Sequence, residues 1–235
     1  VSISTAAFPR LTERLSENRI DLFKDELRSV IRAIIWLALP VAIITYFTRG
    51  YVVSFISHRG NSLMAGLLGV FAVAILFRCL YHILARSFYA QQDTKTPLYI
   101  SIVAISLNVF LAIWFTFSLR YGAYGLAVAQ AIVAIVEVVI LFTMMEMRTP
   151  GVLNKYFWQG ILRMASAAGF MSIICYFMVH WLPFEAGARS LYEAVPKFIL
   201  IVIVSLSTYL MFSRLLQIKE SEPVMRKLRK VFFRA

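Results

Sequence analysis

Long apolar stretches alternate with short polar connectors along the chain. Six of these stretches approach the roughly 20 residues a helix needs to cross a bilayer core. They cover residues 33–57, 63–85, 98–118, 125–145, 159–181 and 195–213. The first is interrupted by Arg49 and Gly50 and contains Pro40, whose missing N–H predicts a kink. Ahead of it, residues 11–32 mix charges with Leu15, Leu22, Phe23, Leu27, Val30 and Ile31 at helical spacing. That pattern predicts an amphipathic helix on a membrane surface, with a partner-binding helix as the other reading. Tyr156, Phe157 and Trp158 before the fifth stretch, and Trp181 at its end, sit where aromatic belts form. Gly122, Gly125, Ala127, Ala129 and Ala131, at and before the start of the fourth stretch, would let that helix approach a neighbour closely.

The fold class that follows is an all-α integral membrane protein with six transmembrane helices. Composition agrees, with 60% of residues hydrophobic and 15% charged, against roughly 25% charged in soluble domains. A net charge of +12 suggests a nucleic-acid partner until its positions are read. Of the 24 Lys and Arg, 18 fall on one side of the six spans, 5 on the other, and Arg78 within a span. Basic connectors stay cytoplasmic, so both chain ends are expected in the cytoplasm, and no nucleic acid is called for. The basic tail from Arg214 to Arg234 suits anionic lipid headgroups. The opening VSISTAAFPRLTE reads as the end of a preceding apolar segment, which makes the chain the C-terminal part of a longer protein. Cys79 and Cys175 fall inside spans and read as small hydrophobes.

Ionisable groups within a bilayer are costly, which makes each a candidate for function. Arg78, His82 and Arg86 follow one another at intervals of four and share a helix face, extended by Tyr89. Arg86 lies near a span end and can snorkel. Arg78 is eight residues deeper, about 12 Å at the helical rise. Glu137, the acid well inside a span, lies at matching depth. Either it neutralises Arg78 between packed helices, or the stripe lines a hydrated cavity that meets an anionic substrate; the two are compatible. Asn108 reads first as a helix–helix contact and second as a substrate or ion ligand. The histidines are scattered, and the sequence has no metal-ligand spacing, phosphate loop or carboxylate pair. No cofactor is expected, and an enzyme is disfavoured.

One polar connector, LARSFYAQQDTKTPLY at 84–99, is unusually structured. Phe88 and Tyr89 sit at a helix end where amphipathic rings anchor, and Asp93 with Thr94 or Thr96 can hydrogen-bond free backbone groups of a turn. Pro97 suits the first turn of the next helix. Together these predict a tight hairpin.

The segment ARSFYAQQDTKTP closely resembles the FYA-x-x-D-x-x-TP signature of the MurJ/MviN family of lipid II flippases, which serve bacterial peptidoglycan synthesis. ISTAAFPRLTE, LALP and YGAYGLAVA resemble further family segments in the same order, over residues 1 to about 145. The resemblance implies the last six of fourteen transmembrane helices of a MOP-type flippase. Residues 1–32 would end a preceding helix and form a cytoplasmic connector, and 33–147 would be four helices of the C-terminal lobe. Residues 148–213 would be two additional helices associated with a groove for the lipid tail, and 214–235 a basic cytoplasmic tail. It implies a bacterial inner-membrane protein whose partners are the undecaprenyl-diphosphate-linked precursor, membrane lipids and its own N-terminal lobe.

The motif residues that carry over are Arg86, Phe88, Tyr89, Ala90, Asp93, Thr96 and Pro97, assigned to a gating hairpin. The candidate cavity set is Arg78, His82, Arg86, Glu137 and Asn108. The position of His82 is often basic in the family, whereas Glu137 stands where an uncharged polar residue is commoner. Competing readings are another exporter of the same superfamily, such as a polysaccharide-precursor flippase or a multidrug antiporter, and a non-transporting scaffold for cell-wall synthesis.

Overall fold

A computed structural model describes residues 2–17, 19–56, 61–182 and 191–222. His58, Arg59, Arg189 and the tail beyond Glu222 lie outside the described residues. The described residues are helical throughout apart from turns, in the order α1 (Ser2–Ser16), α2 (Ile20–Phe47), α3 (Arg49–Ile56), α4 (Ser62–Ala90), α5 (Lys95–Ile113), α6 (Ala123–Arg148), α7 (Lys155–Trp181) and α8 (Leu191–Leu215). A π-helical turn, Trp114–Ser118, extends α5. With that extension, six helices are long and apolar enough to cross a membrane: α2, α4, α5, α6, α7 and α8.

The amphipathic stretch over 11–32 is not one helix. A turn after Ser16 divides it, and Arg19 is the cap from which α2 begins. From there α2 runs unbroken into the first span, through a buried Pro40, and stops at Thr48 where Arg49 and Gly50 interrupt the apolar pattern. Leu22 is exposed, but Phe23, Leu27 and Ile31 are buried in the main core with Leu84 and Phe88 of α4, Leu141 and Met145 of α6, and Met164 of α7. The apolar side of this segment therefore packs against protein.

Helix ends are set by local hydrogen bonds to groups that the helix itself leaves unpaired. Asn61 accepts from the backbone N–H of Leu63 and Met64 to start α4, and Asn154 accepts from Phe157 to start α7. Two helices end in the same motif with a glutamine in the left-handed region. After α4, Gln92 (φ 59°) donates to Tyr89 O and Asp93 to Phe88 O, both at 3.0 Å. After α8, Gln217 (φ 52°) donates to Arg214 O and Ile218 to Ser213 O. Each folds the chain back against its own helix.

The order of packing across the bundle is α5, α6, α4, α2, α7, α8. Small side chains permit the tightest of these contacts: Ala127, Ala131 and Ala134 of α6 are buried, the last two against Ala74 of α4. At the far side, α8 is fastened to α2 by buried polar groups. Trp36 Nε1 donates to Ser213 Oγ at 3.1 Å, and the Tyr209 hydroxyl donates to the Trp36 carbonyl at 2.9 Å. By contrast α5 leans almost wholly on α6 and leaves a broad apolar face open, including Val103, Phe110 and Phe117. Cys175 is buried and Cys79 half-buried, and neither is in a disulfide.

Gly125 sits where α6 turns back under the π-helical end of α5. A Cβ there would lie 2.8 Å from the Phe115 carbonyl carbon and 2.8 Å from the Thr116 nitrogen, which are backbone atoms that cannot swing aside. Gly125→Ala is expected to destabilise the protein by about 1–3 kcal/mol, the usual cost of overpacking. Thermal unfolding in detergent checks this, with Gly169→Ala, where nothing lies within 4 Å, as the tolerated control.

Candidate functional site

The cationic stripe on α4 meets a buried acid. Arg78 Nη1 lies 3.3 Å from Glu137 Oε2 of α6, with the Glu137 side chain 5% exposed and that of Arg78 41% exposed. Ser101 of α5 donates its hydroxyl to the other carboxylate oxygen at 3.4 Å, and the Tyr81 hydroxyl is 3.0 Å from Ser101 Oγ. Three helices thus share one polar network. A carboxylate removed from water needs such partners, since breaking a buried pair costs about 3–5 kcal/mol.

Pairing with Glu137 does not consume the arginine. Its guanidinium carries five donors in a fixed fork, and a large part of it remains on the uncovered face of α4. His82 is exposed on the same face beside the Tyr81 ring, with centroids 5.7 Å apart, and Arg86 is half-buried one turn further on. The geometry therefore contains the neutralising pair, with the Arg78 guanidinium still partly exposed and His82 exposed beside it.

Asn108 lies apart from this network. Its amide donates to Gln130 Oε1 at 2.8 Å, which makes it a contact between α5 and α6. Ser101 and Asn108 are seven residues apart on α5, as are Glu137 and Gln130 on α6, so the two polar pairs lie on one antiparallel interface.

The FYA-x-x-D-x-x-TP segment forms the tight turn between α4 and α5. Asp93 Oδ1 accepts from the backbone N–H of Lys95 and of Thr96, both at 3.0 Å, and so caps α5. Pro97 is buried in the first turn of α5, where its lack of an N–H costs nothing. Arg148, at the end of α6, closes the cluster: Nη1 lies 2.5 Å from Asp93 Oδ2, Nη2 donates to Thr96 Oγ1 at 3.2 Å, and the guanidinium sits 5.6 Å from the Phe88 ring centroid. Gln91 donates to Met145 Sδ at 3.3 Å. The hairpin is therefore latched to α6 as well as turned on itself. Phe88 is not an interfacial anchor; it is wholly buried in the core, Ala90 is buried beside it, and only Tyr89 faces outward.

Sequence spacing did not single out Arg148, Gln130, Ser101 or Tyr81. Arg148 was visible only as one more basic residue at a span end, and the others as ordinary polar residues in apolar runs. The hydrogen bonds of Thr96 and the Arg148 guanidinium hold the Asp93 carboxyl below the usual carboxylate range.

Length, hydropathy and packing define a multi-pass α-helical membrane protein, with a charged stripe on one of its helices. The family described as "Lipid II flippase MurJ" matches residues 1–195. The chain belongs to that family. Among similar proteins, the probable lipid II flippase MurJ of Thermotoga maritima is 23% identical over 233 residues, which is 97% of this chain and 44% of that protein. The corresponding protein of Haemophilus influenzae is 30% identical over 163 residues, 60% of this chain and 30% of its own length. The lipid II flippase MurJ of Thermosipho africanus is 24% identical over 147 residues, 60% of this chain and 30% of that protein. The chain thus spans less than half the length of these relatives.

Two outcomes follow from the geometry. Arg78→Glu and Glu137→Arg are each expected to lower the protein's membrane level, and the swapped double variant to restore it, as measured by immunoblot of membrane fractions. The Asp93 carboxyl is lowered on folding, so its contribution is complete above the ordinary carboxylate range near pH 4 and is lost as pH falls through its folded value. The protection factors of the Lys95 and Thr96 amides, with intrinsic exchange at each pH divided out, should therefore fall in acid. Asp93→Asn should show protection factors that vary little with pH.

Proposed function

We propose that the chain forms the C-terminal six-helix portion of a flippase that carries an undecaprenyl-diphosphate-linked peptidoglycan precursor from the cytoplasmic to the outer leaflet by alternating access. The reading places it in the bacterial inner membrane with both described ends cytoplasmic, on the side where 18 of the 24 Lys and Arg fall. The observation that carries it, beyond family membership, is the exposed part of Arg78 and the exposed His82 on one face of α4, with Arg86 half-buried one turn further on. A diphosphate entering a membrane needs cationic donors in a hydrated space, and an arginine fork offers charge-assisted hydrogen bonds to phosphate. The stripe lies on a helix that α2 and α6 grip from either side, so its donors stand on a rigid support.

In this reading α2, α4, α5 and α6 belong to one lobe, and the open faces of α4 and α5 meet the other lobe across the cavity. The pair α7 and α8 packs on the far side of α2 and supplies the wall along which a long lipid tail runs. The latched hairpin sets the angle between α4 and α5 at the cytoplasmic end, where the cavity must close when the outer side opens. Phe88, Ala90, Asp93, Thr96 and Pro97 then act on gate geometry and not on substrate.

The test has to separate transport from folding, because removing Arg78 alone leaves the Glu137 carboxylate buried without its partner. In the intact protein, Glu137→Gln is expected to keep both membrane level and precursor translocation. Adding Arg78→Gln to that variant should keep the level and cut translocation at least about tenfold, the factor that one charge-assisted hydrogen bond represents. Reconstituted lipid II flipping measures it. Unchanged flipping by the double variant removes Arg78 from the substrate path.

A further inference from the structure

Pro40 leaves a gap in the backbone ladder of α2. A proline has no N–H, and its ring crowds the carbonyl four residues earlier, which in α2 is that of Trp36. That carbonyl therefore lacks its regular helical donor, and in hydrocarbon no water replaces it. Trp36 and Pro40 are both buried, so the loss falls inside the protein.

The missing donor comes from another helix. The Tyr209 hydroxyl of α8 donates to the Trp36 carbonyl at 2.9 Å. Tyr209 is 1% exposed, and its ring centroid lies 5.9 Å from that of Trp36. One turn further along α8, Ser213 Oγ accepts from Trp36 Nε1 at 3.1 Å. Two residues on one face of α8 thus hold both the backbone and the side chain of a single residue of α2. Other attachments along this line join side chain to side chain. Glu220, just beyond α8, pairs with Arg32 at 2.7 Å, and Phe198 of α8 lies against the Tyr51 and Phe55 rings of α3. For the rest, α8 leans chiefly on α7.

We propose that α8 is a splint for the proline break in α2: the Tyr209 hydroxyl stands in for the N–H that Pro40 lacks, so that one bond sets both the course of α2 and the seating of the α7–α8 pair. A carbonyl in an unbroken helix already has its donor; the break at Pro40 is what makes Trp36 depend on α8. Lifting α8 away would strand that carbonyl, and changing the course of α2 at the break would draw it off the hydroxyl. The α7–α8 pair is therefore tied to α2 at its weakest point and moves with it. The inference does not depend on the transport reading.

A double-variant cycle on the intact protein in nanodiscs tests it, read by hydrogen–deuterium exchange of the α8 amides. Tyr209→Phe is expected to speed that exchange about tenfold, the factor that one hydrogen bond represents. Pro40→Ala gives Trp36 back a backbone donor, and in that background Tyr209→Phe should change the rate by less than about twofold, since the carbonyl stays paired. Thr208→Val removes a bond internal to α8, from Thr208 Oγ1 to Val204 O at 2.9 Å, and should have the same effect in both backgrounds. An effect of Tyr209→Phe that is equal with and without Pro40 overturns the splint, as does a Thr208→Val effect that changes with the background. Infrared spectra of protein with isotope-labelled tryptophan carbonyls read the bond itself while Pro40 stays in place. Tyr209→Phe should shift one labelled band to higher wavenumber, and an unchanged band overturns the proposal.

Discussion

The close approach of α4 and α6 governs the deep ion pair and the hairpin latch of this bundle. Alanines on α6 let the two helices come near enough for Arg78 to reach a carboxylate that is otherwise shut off from water. The same approach brings the end of α6 beside the α4–α5 turn, so that Arg148 finds Asp93 and Thr96. One packing decision, made by small side chains, therefore sets both the deep ion pair and the latch at the membrane edge. In an apolar medium helices gain little from hydrophobic burial against one another, so such close contacts and their hydrogen bonds carry much of the specificity.

The bundle has α2 at its centre. On one side it supports the group α4, α6 and α5; on the other it holds α7 and α8. Its attachments differ in kind. Toward α4 they are apolar, through Phe23, Leu27 and Ile31. Toward α8 they include the Trp36 and Tyr209 hydrogen bonds, and toward the α6–α7 turn the Arg28 guanidinium donates to Gly151 O and Val152 O at 3.2 and 3.1 Å. Polar fasteners thus fix α2 on α8 and on the α6–α7 turn, whereas its contact with α4 rests on apolar packing.

The six spans, the break at Arg49 and Gly50, the run of small residues opening α6 and the stripe on α4 were all legible in the sequence, because each rests on composition, periodicity or a cost that falls on a single residue. The Arg78–Glu137 pair was legible as one of two readings, since matching depth on different helices places two charges at one level. What escaped was whatever depends on which helices are neighbours. Gln130 and Ser101 look ordinary until α5 is known to lie along α6, and Arg148 looks like one more positive charge until the hairpin is seen beneath it. Phe88 and Tyr89 show a related limit. Adjacent residues on a helix point about 100° apart, so one enters the core and its neighbour leaves it, and the dipeptide alone does not say which.

The two hydrogen-bonded pairs between α5 and α6 have a mechanical consequence. Ser101 with Glu137 and Asn108 with Gln130 act as two pins set seven residues apart along an antiparallel seam. A shift of one helix along the other would strand four polar side chains against hydrocarbon, whereas a small change of tilt about the seam leaves every bond nearly intact. With its first turn also bonded to Arg148, α5 resists sliding along α6 far more than a small tilt about the seam.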